Sequence, residues 1–574
     1  MKKMVYKLKS LVLLFVLISF SCTDDLTEIN KDPNSFNVAE PENLLAHSVK
    51  QTLDLVGGDM NFQMFLNYSH YVGGVGGQFP RFFFTESALD DWWRRMNIGI
   101  LKNTQEIIDN FSDNDDYSNR VLIAKVWKSY VYSIMVSTFG PVPMKSALGT
   151  ATEVPYDSEE AVYTEILTLL KEAGDNIDVA GDKLSQDAVF AGDNTKWIKF
   201  ANSLRLKIAL RISGAFPTLS ETHVREVMSD ESMLISNNGD NATISWGQDE
   251  ENWSYPYRRF VTVADAAQFP KMNHTFMLYM KTYQDPRVTV FSDPASQPRL
   301  FLDSLYESEG STNKVAVVYP VPYIGTPLGF APLAAWDLNG NDNPLQSTQD
   351  ENFATPKLEN FMAADIDYPI STIAEVNFLK AEAALKGWGG TSTPEQYYYA
   401  GIDASFDQYS VGGSAAYKER DGVKWGTSST GDRNVHGIVT SGISASPLEK
   451  IVVQRWLSGF FQGHDIWCLQ RRTRLLNWDP HLSPDSGEGD YQHIPERMIY
   501  PTSEAALNGT AYEVAVGMLG GIDYLYTPLK INKSYTPVVW ENFPAEYNTD
   551  FYSQYYGDSV DDLIAAGVTY EIQE

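Results

Sequence analysis

Three stretches of the chain combine aromatic side chains with amides, carboxylates or guanidinium groups. This combination suits sugars, because the C–H face of a sugar ring stacks on an aromatic ring while its hydroxyl groups need polar partners. The stretches are 78–84, 246–257 and 336–342. The candidate ligand-binding residues within them are Phe79, Arg81, Trp246, Trp253, Tyr255, Trp336 and Asp337. The competing interpretation of each aromatic residue is a loop side chain that folds onto the core.

Residue patterns typical of catalysis or metal binding do not stand out. The eight histidines are scattered, and the sequence has no His-Glu-x-x-His, Gly-x-Ser-x-Gly or phosphate-binding loop motif. Oxygen ligands alternate at Asp337, Asn339 and Asn341, but Thr348 stands where a calcium loop needs its closing Glu. We therefore expect a binding protein without metal or cofactor. A glycoside hydrolase stays the enzymatic alternative, because 74 acidic residues allow many carboxylate pairs.

The charge of the chain limits its partners. The formal net charge is −30, and four lysines but no acid lie in residues 1–21, so removal of that segment would leave −34. Such a chain would repel nucleic acid, because binding to phosphates depends on the release of their counterions by basic residues. A neutral or cationic ligand suits this charge better than an anionic polymer.

The amino terminus has the pattern of an export signal. A basic start precedes an apolar run from Leu11 to Phe20, which is too short to span a bilayer. The run ends just before Cys22, and this arrangement resembles the lipobox of bacterial lipoproteins, although Ser19 stands where Leu is preferred. The following Thr-Asp-Asp resembles the acidic signal that directs lipoproteins of Bacteroidota to the cell surface. We predict a signal peptide at 1–21, a lipid on Cys22 and an extended leader over 22–40.

Helical spacing dominates the rest of the chain. Apolar residues recur at helical intervals over 158–173 and 197–208, and the clearest unit is a pair of helices over 375–385 and 395–409 around a glycine-rich turn. Two helices around a tight turn resemble a tetratricopeptide repeat, which must stack on others to bury its apolar face. The sequence predicts a mostly helical, all-α fold with such hairpins as scaffold, long ligand-binding loops and a minor strand content, for example near 314–319.

Several motifs in order resemble the SusD/RagB family of nutrient-binding outer-membrane lipoproteins, in particular its SusD-like branch. The matching segments are Asn30-Lys31-Asp32-Pro33-Asn34, Phe139-Gly140-Pro141-Val142-Pro143, 197–211, Asp285-Pro286-Arg287, Ala381-Glu382-Ala383, 449–456, Arg471-Arg472-Thr473 and 494–501. The resemblance implies four tetratricopeptide-like repeats, ligand loops on one side and a SusC-like, TonB-dependent transporter that the lipoprotein covers as a lid.

These observations predict a single helical domain over 41–574, of which 530–574 lies beyond the matched motifs. We expect a protein anchored by lipid in the outer membrane and facing outward. It would capture oligosaccharides and deliver them to the transporter. Oligopeptide capture by the same kind of protein is the alternative, because aromatic residues line both kinds of site.

Overall fold

The structure is a computed structural model of the chain. The described residues are 39–74, 84–149, 153–262, 269–296, 299–308, 312–326, 353–427, 446–476, 478, 494–534, 563 and 566–573. Five of the predicted functional residues lie outside this part of the chain: Cys22, Phe79, Arg81, Trp336 and Asp337.

Helices make up most of the described residues, which confirms the predicted fold class. In chain order they are α1 (Pro41–Thr52), α2 (Leu66–Tyr68), α3 (Glu86–Arg94), α4 (Lys102–Phe111), α5 (Ser118–Phe139), α6 (Glu159–Asn176), α7 (Asn194–Arg211), α8 (Pro217–Met228), α9 (His274–Tyr283), α10 (Val288–Phe291), α11 (Ile373–Leu385), α12 (Pro394–Gln408), α13 (Ser414–Lys418), α14 (Pro447–Ser458), α15 (Gly463–Thr473), α16 (Thr502–Leu507) and α17 (Gly509–Met518). Among the described helices, none is both long and apolar enough to cross a membrane.

Five further segments within the described part of the chain are π-helical, a form in which each backbone turn takes one extra residue. They are Leu53–Asp59, Asn61–Phe65, Arg95–Leu101, Tyr257–Val261 and Leu358–Met362. The first two continue α1 toward α2, and the third joins α3 to α4.

Strands are short and form small separate sheets. The strands are β1 (Val72–Gly74), β2 (Ala242–Ser245), β3 (Lys271–Met272), β4 (Ser292–Asp293), β5 (Arg299–Glu307), β6 (Lys314–Val321), β7 (Thr355–Pro356), β8 (Asp367–Ser371) and β9 (Thr569–Ile572). The antiparallel pairs are β1–β3, β2–β8, β4–β7 and β5–β6, and β9 adds to β6 in parallel. The predicted strand near 314–319 is therefore β6.

Local sequence signals place the helix starts. Thr393 and Gln396 form a capping box at α12, and Thr372 caps α11 by accepting from the Glu375 backbone N–H. Together with the turn between them, α11 and α12 form the predicted hairpin. The two helices pack closely because Gly401 faces the ring of Phe378. The hairpin exists as predicted, whereas its membership of a tetratricopeptide-like series stays a prediction.

The core is centred on helices that are buried on nearly all sides. α5 and α7 have few exposed positions. The buried cations of α7 therefore need ion-pair or hydrogen-bond partners within the protein, because an unpaired buried charge is costly. Arg205 donates to His223 and pairs with Glu226, while Arg211 lies 2.5 Å from Asp465. These contacts give both arginines a structural role in the core.

The carboxyl-terminal part of the chain closes the end of α5. Arg497 is fully buried and donates twice to the carbonyl oxygen of Phe139, at 3.0 and 2.8 Å. Tyr500 donates to the carbonyl of Pro141 at 2.7 Å, and Arg471 donates to that of Ser137 at 2.7 Å. Two of the family-like motifs, 139–143 and 494–501, therefore contact each other across the molecule.

Candidate ligand-binding face

Described residues next to two of the predicted aromatic stretches meet around β3 (Lys271–Met272). β1 precedes the segment 75–83 and pairs with β3, where Val72 lies opposite Met272. Thr326, the last described residue before 327–352, bridges to Asn273 next to β3. Met272 also donates to the carbonyl of Ala354, which lies just after that segment, at 2.8 Å.

The second stretch, 246–257, lies within the described residues, and its aromatic side chains differ in how deeply they are buried. Trp246 is only 3% exposed, and its indole N–H donates to Asp54 at 3.0 Å. Trp253 is half-buried, donates to the carbonyl of Gln248 at 2.8 Å, and meets the ring of Tyr257 edge-on at 5.1 Å. Tyr255 is half-buried over the core, with its ring 5.9 Å from that of Phe62.

A chain of contacts joins this stretch to the described end of the first one. Phe84 lies 4.8 Å from the ring of Trp92, whose indole N–H donates to Asp59 at 3.2 Å. Gln63 donates both to Asp59 and, at 3.4 Å, to the hydroxyl of Tyr255. The fold thus brings Phe84 and Tyr255 to the same region, although they are far apart in sequence.

We use the term Tyr255 face for the half-buried or exposed residues of this region. They are Asp59, Gln63, Arg95, Trp253, Tyr255 and Tyr257. Asp59, Gln63 and Arg95 were not among the residues predicted from the sequence. Their only sequence signal is the adjacent pair Gly57-Gly58, because glycine is unfavourable inside a helix and usually has a packing or functional reason there.

The face combines aromatic surface with both donors and acceptors. Burial raises the pKa of Tyr255 to about 12, so its phenol stays protonated and can donate at neutral pH. Burial also raises the pKa of Asp59, and hydrogen bonds from Trp92 and Gln63 oppose that increase. Arg95 lies 3.4 Å from Asp59 and offsets part of its charge. Such a face can hold a polyhydroxylated ligand by stacking and by hydrogen bonds.

Four of the five π-helical segments are linked to one another around this face. Asp59 and Arg95 connect 53–59 with 95–101, and Phe62 of 61–65 lies 6.0 Å from Phe260 of 257–261. π-Helices are rare in proteins and occur often at functional sites, because the extra residue displaces side chains from the helical pattern. Their concentration here is independent of the aromatic composition that led to the prediction.

A second group resembles a catalytic triad but serves the core. Ser137 lies 3.1 Å from Nε2 of His464, whose Nδ1 lies 4.0 Å from Asp465; Ser137 and His464 are buried and Asp465 is half-buried. Ser137 donates its proton to the carbonyl of Ser133 and accepts from Arg211 at 3.1 Å, so it is held in a scaffold network. Burial alone would raise the pKa of Asp465, but the charges of Lys207 and Arg211 hold it below its ordinary value.

Nearby Cys468 is a buried, free cysteine. Among the described residues, no group of three or more His, Cys, Asp or Glu side chains is placed to hold a metal ion.

Residues 33–501 match a protein family named SusD-like, described as "Starch-binding associating with outer membrane". This match covers most of the chain. The chain belongs to the SusD-like family. The helical fold is therefore that of a SusD-like protein.

Solved structures share the fold of this SusD-like chain. A chitin-binding SusD homolog from Flavobacterium johnsoniae is 22% identical, with a TM-score of 0.66 over 86% of this chain and 98% of the other. A SusD homolog from Bacteroides uniformis is also 22% identical, with a TM-score of 0.67 over 86% and 99%. A Bacteroidetes SusD-like protein is 21% identical, with a TM-score of 0.69 over 86% and 100%. No curated protein matches the sequence.

Proposed function

We propose that this SusD-like protein is a cell-surface binding protein that captures oligosaccharides on the Tyr255 face. The observation that carries the proposal is the concentration of π-helical segments around half-buried aromatic residues with adjacent donors and acceptors. The description of the family as starch-binding and the chitin-binding homolog with the same fold support a glycan as the ligand.

The residues of the face would have separate roles in binding. The rings of Tyr255 and Trp253 would stack on sugar faces, while Asp59 and Gln63 would bond to hydroxyl groups. Trp246 would support the face from beneath, because its ring is buried and anchored to Asp54. The strongly negative chain favours neutral glycans over sulfated or otherwise anionic ones.

The predicted residues outside the described part would extend this face. Phe79 and Arg81 belong to 75–83, and Trp336 and Asp337 belong to 327–352. Gly74 before the first segment and the residues on both sides of the second lie near β3, while Phe84 after the first segment packs on Trp92 beside the Tyr255 face. We propose that all four contact the same ligand.

Anchoring and delivery complete the proposal. A lipid on Cys22 would hold the protein at the outer membrane, facing the extracellular side; the family's described association with that membrane supports this location. Captured sugars would pass to a SusC-like, TonB-dependent transporter. The protein would bind without cleaving its ligand.

Binding measurements on purified protein test this function. Calorimetric titration with maltoheptaose and chitohexaose, beside a wider array of neutral glycans, should identify at least one ligand. Tyr255→Ala and Trp253→Ala should each weaken that ligand by more than about 1 kcal/mol, the free energy of losing a stacked ring. Trp388→Ala is the matched control, because Trp388 is a half-buried tryptophan in the turn between α11 and α12.

The outcomes separate the alternatives. If both face variants bind a glycan with wild-type affinity, the Tyr255 face is not the binding site. Binding of cationic peptides but of no glycan would support oligopeptide capture, which the exposed acids Asp249, Glu250 and Glu251 next to Trp253 would favour. Appearance of shorter sugars during incubation would instead indicate a glycoside hydrolase.

A further inference from the structure

Two adjacent glycines of the first π-helical segment face tyrosines from distant parts of the chain. A Cβ atom built on Gly57 would lie 2.8 Å from Cγ of Tyr368, and one on Gly58 would lie 2.8 Å from Cβ of Tyr255. Carbon atoms that are not bonded do not approach so closely, so neither position accepts a side chain without movement of its neighbour. Neither glycine has the positive φ that would explain it through backbone conformation.

The two contacts differ in what they position. Tyr368 is buried in β8, so Gly57 belongs to the packing of the core. Tyr255 is half-buried on the Tyr255 face, so Gly58 sets how deeply that ring lies against the helix. The same Cβ on Gly58 would lie 3.6 Å from the ring of Trp246, an ordinary contact distance.

The backbone around Tyr255 cannot yield easily. The atom that Gly58 approaches is the first carbon of the side chain, so rotation of the ring does not relieve the contact. Ser254 is tied on both sides: its backbone N–H donates to the carbonyl of Ala364 and its hydroxyl donates to that of Ala363, each at 2.7 Å. Because ring rotation gives no relief, a methyl group at position 58 would have to displace the whole Tyr255 residue from the helix, against these hydrogen bonds.

We propose that Gly58 is a positioning residue for ligand binding, which seats Tyr255 at the depth that lets its ring and hydroxyl contact one ligand together. This inference rests on the proposed binding role of the Tyr255 face. Gly58 would thus contribute to binding without contacting the ligand itself. Its residue type alone would suggest only a role in helix packing.

A ligand-free experiment tests the seating itself. Tetranitromethane nitrates accessible tyrosines through their phenolate form, and peptide mass spectrometry reports the rate at Tyr255. In Gly58→Ala the displaced ring should lose part of the burial that raises its pKa, and nitration should accelerate roughly tenfold for each pKa unit lost. Gly99→Ala is the control, since it lies in another π-helical segment and its added Cβ would meet only Gln51, at 3.7 Å.

A double-mutant cycle tests the route of the effect. Gly58→Ala should weaken the glycan found in the panel by at least about tenfold, comparable to loss of the Tyr255 ring. In a Tyr255→Gly background, which has no Cβ to meet, the same change should leave the affinity unaltered and should no longer lower the melting temperature. If Gly58→Ala alone does not fold, recovery of folding in the double variant supports the contact, and failure of both to fold overturns it.

The results distinguish this inference from the proposed function. Faster nitration of Tyr255 in Gly58→Ala, with no glycan bound by any variant, would support the seating but not the binding role that it serves. Loss of binding in Tyr255→Ala together with unchanged nitration and affinity in Gly58→Ala would overturn the inference and keep the face.

Discussion

At the scale of single residues, neighbouring tryptophans of one loop differ in exposure because of partners far away in sequence. Trp246 is buried because its indole N–H reaches Asp54, which lies 192 residues earlier, whereas Trp253 bonds to the carbonyl of nearby Gln248. Composition nominates both residues equally, since a loop sequence does not reveal which ring meets a distant acid. The structure separates the ring that supports the face from the ring that forms it.

Glu159 gives a prediction about pH. It is 2% exposed at the start of α6 and accepts from the backbone N–H of Lys530. Burial is the largest effect and raises the pKa of Glu159 to about 7, above the value of 4.5 for an ordinary Glu. The unfolded chain therefore loses this proton at lower pH than the folded one, and the free energy of unfolding falls as pH rises between these two values.

Replacing this carboxyl by an amide should remove that loss. We compare the free energy of unfolding of Glu159→Gln with that of the wild type, measured by urea denaturation from pH 4.5 to pH 8. The difference should shift in favour of the variant by up to about 3 kcal/mol across this range. Glu160→Gln is the control, because Glu160 is the adjacent but exposed residue. Equal pH slopes in the wild type and Glu159→Gln would contradict the assignment.

At the scale of elements, the helices were predictable and the π-helical segments were not. Residues such as Trp197, Phe200 and Leu204 repeat at intervals that only a helix places on one face, and α7 contains them all. A π turn inserts one residue into such a pattern without changing its composition. It is kept by tertiary contacts, such as those of Asp59 with Trp92 and Arg95, which spacing does not encode.

The α11–α12 hairpin gives a prediction about helix packing. A Cβ on Gly401 would lie 2.7 Å from the ring of Phe378, so Gly401→Ala should lower the free energy of unfolding by about 1–3 kcal/mol despite the better helix propensity of Ala. Gly517→Ala in α17 is the matched control, because nothing lies within 4 Å of its added Cβ.

The control should have the opposite sign. In an uncrowded helix, Ala is favoured over Gly by roughly 0.5–1 kcal/mol, so Gly517→Ala should stabilise the protein in the same denaturation assay. Stabilisation by both substitutions would show that the helices can separate at no cost. Our description of their packing would then be wrong.

At the scale of the whole molecule, anchoring and partnership are open to direct test. Cys22→Ala should move the protein from the membrane fraction to the soluble fraction, because one residue carries the proposed lipid. The wild type should incorporate labelled fatty acid, and Cys468→Ala should do so equally, since Cys468 is buried in the fold. Absence of label from the wild type would contradict the anchor.

The transporter should be recovered with the intact protein. A tagged wild-type chain, extracted in mild detergent, is expected to retain a barrel protein encoded at the same locus, since the family is described as associating with the outer membrane. Variants of the Tyr255 face should retain it as well if ligand and transporter use different surfaces. A pull-down without a barrel, from cells that express one, would contradict the proposed partnership.

The long-range closure of α5 has a consequence for how the chain is made. The carbonyl oxygens of Ser137 and Phe139 at its end accept hydrogen bonds from Arg471 and Arg497. The contact between Phe139 and Arg497 spans 358 residues. A ribosome that has released only the first two thirds of the chain has therefore produced a helix whose end still lacks its donors. Completion of this core cannot precede the synthesis of Arg497, so the nascent chain stays loosely folded for most of its synthesis, a state that the proposed export would require.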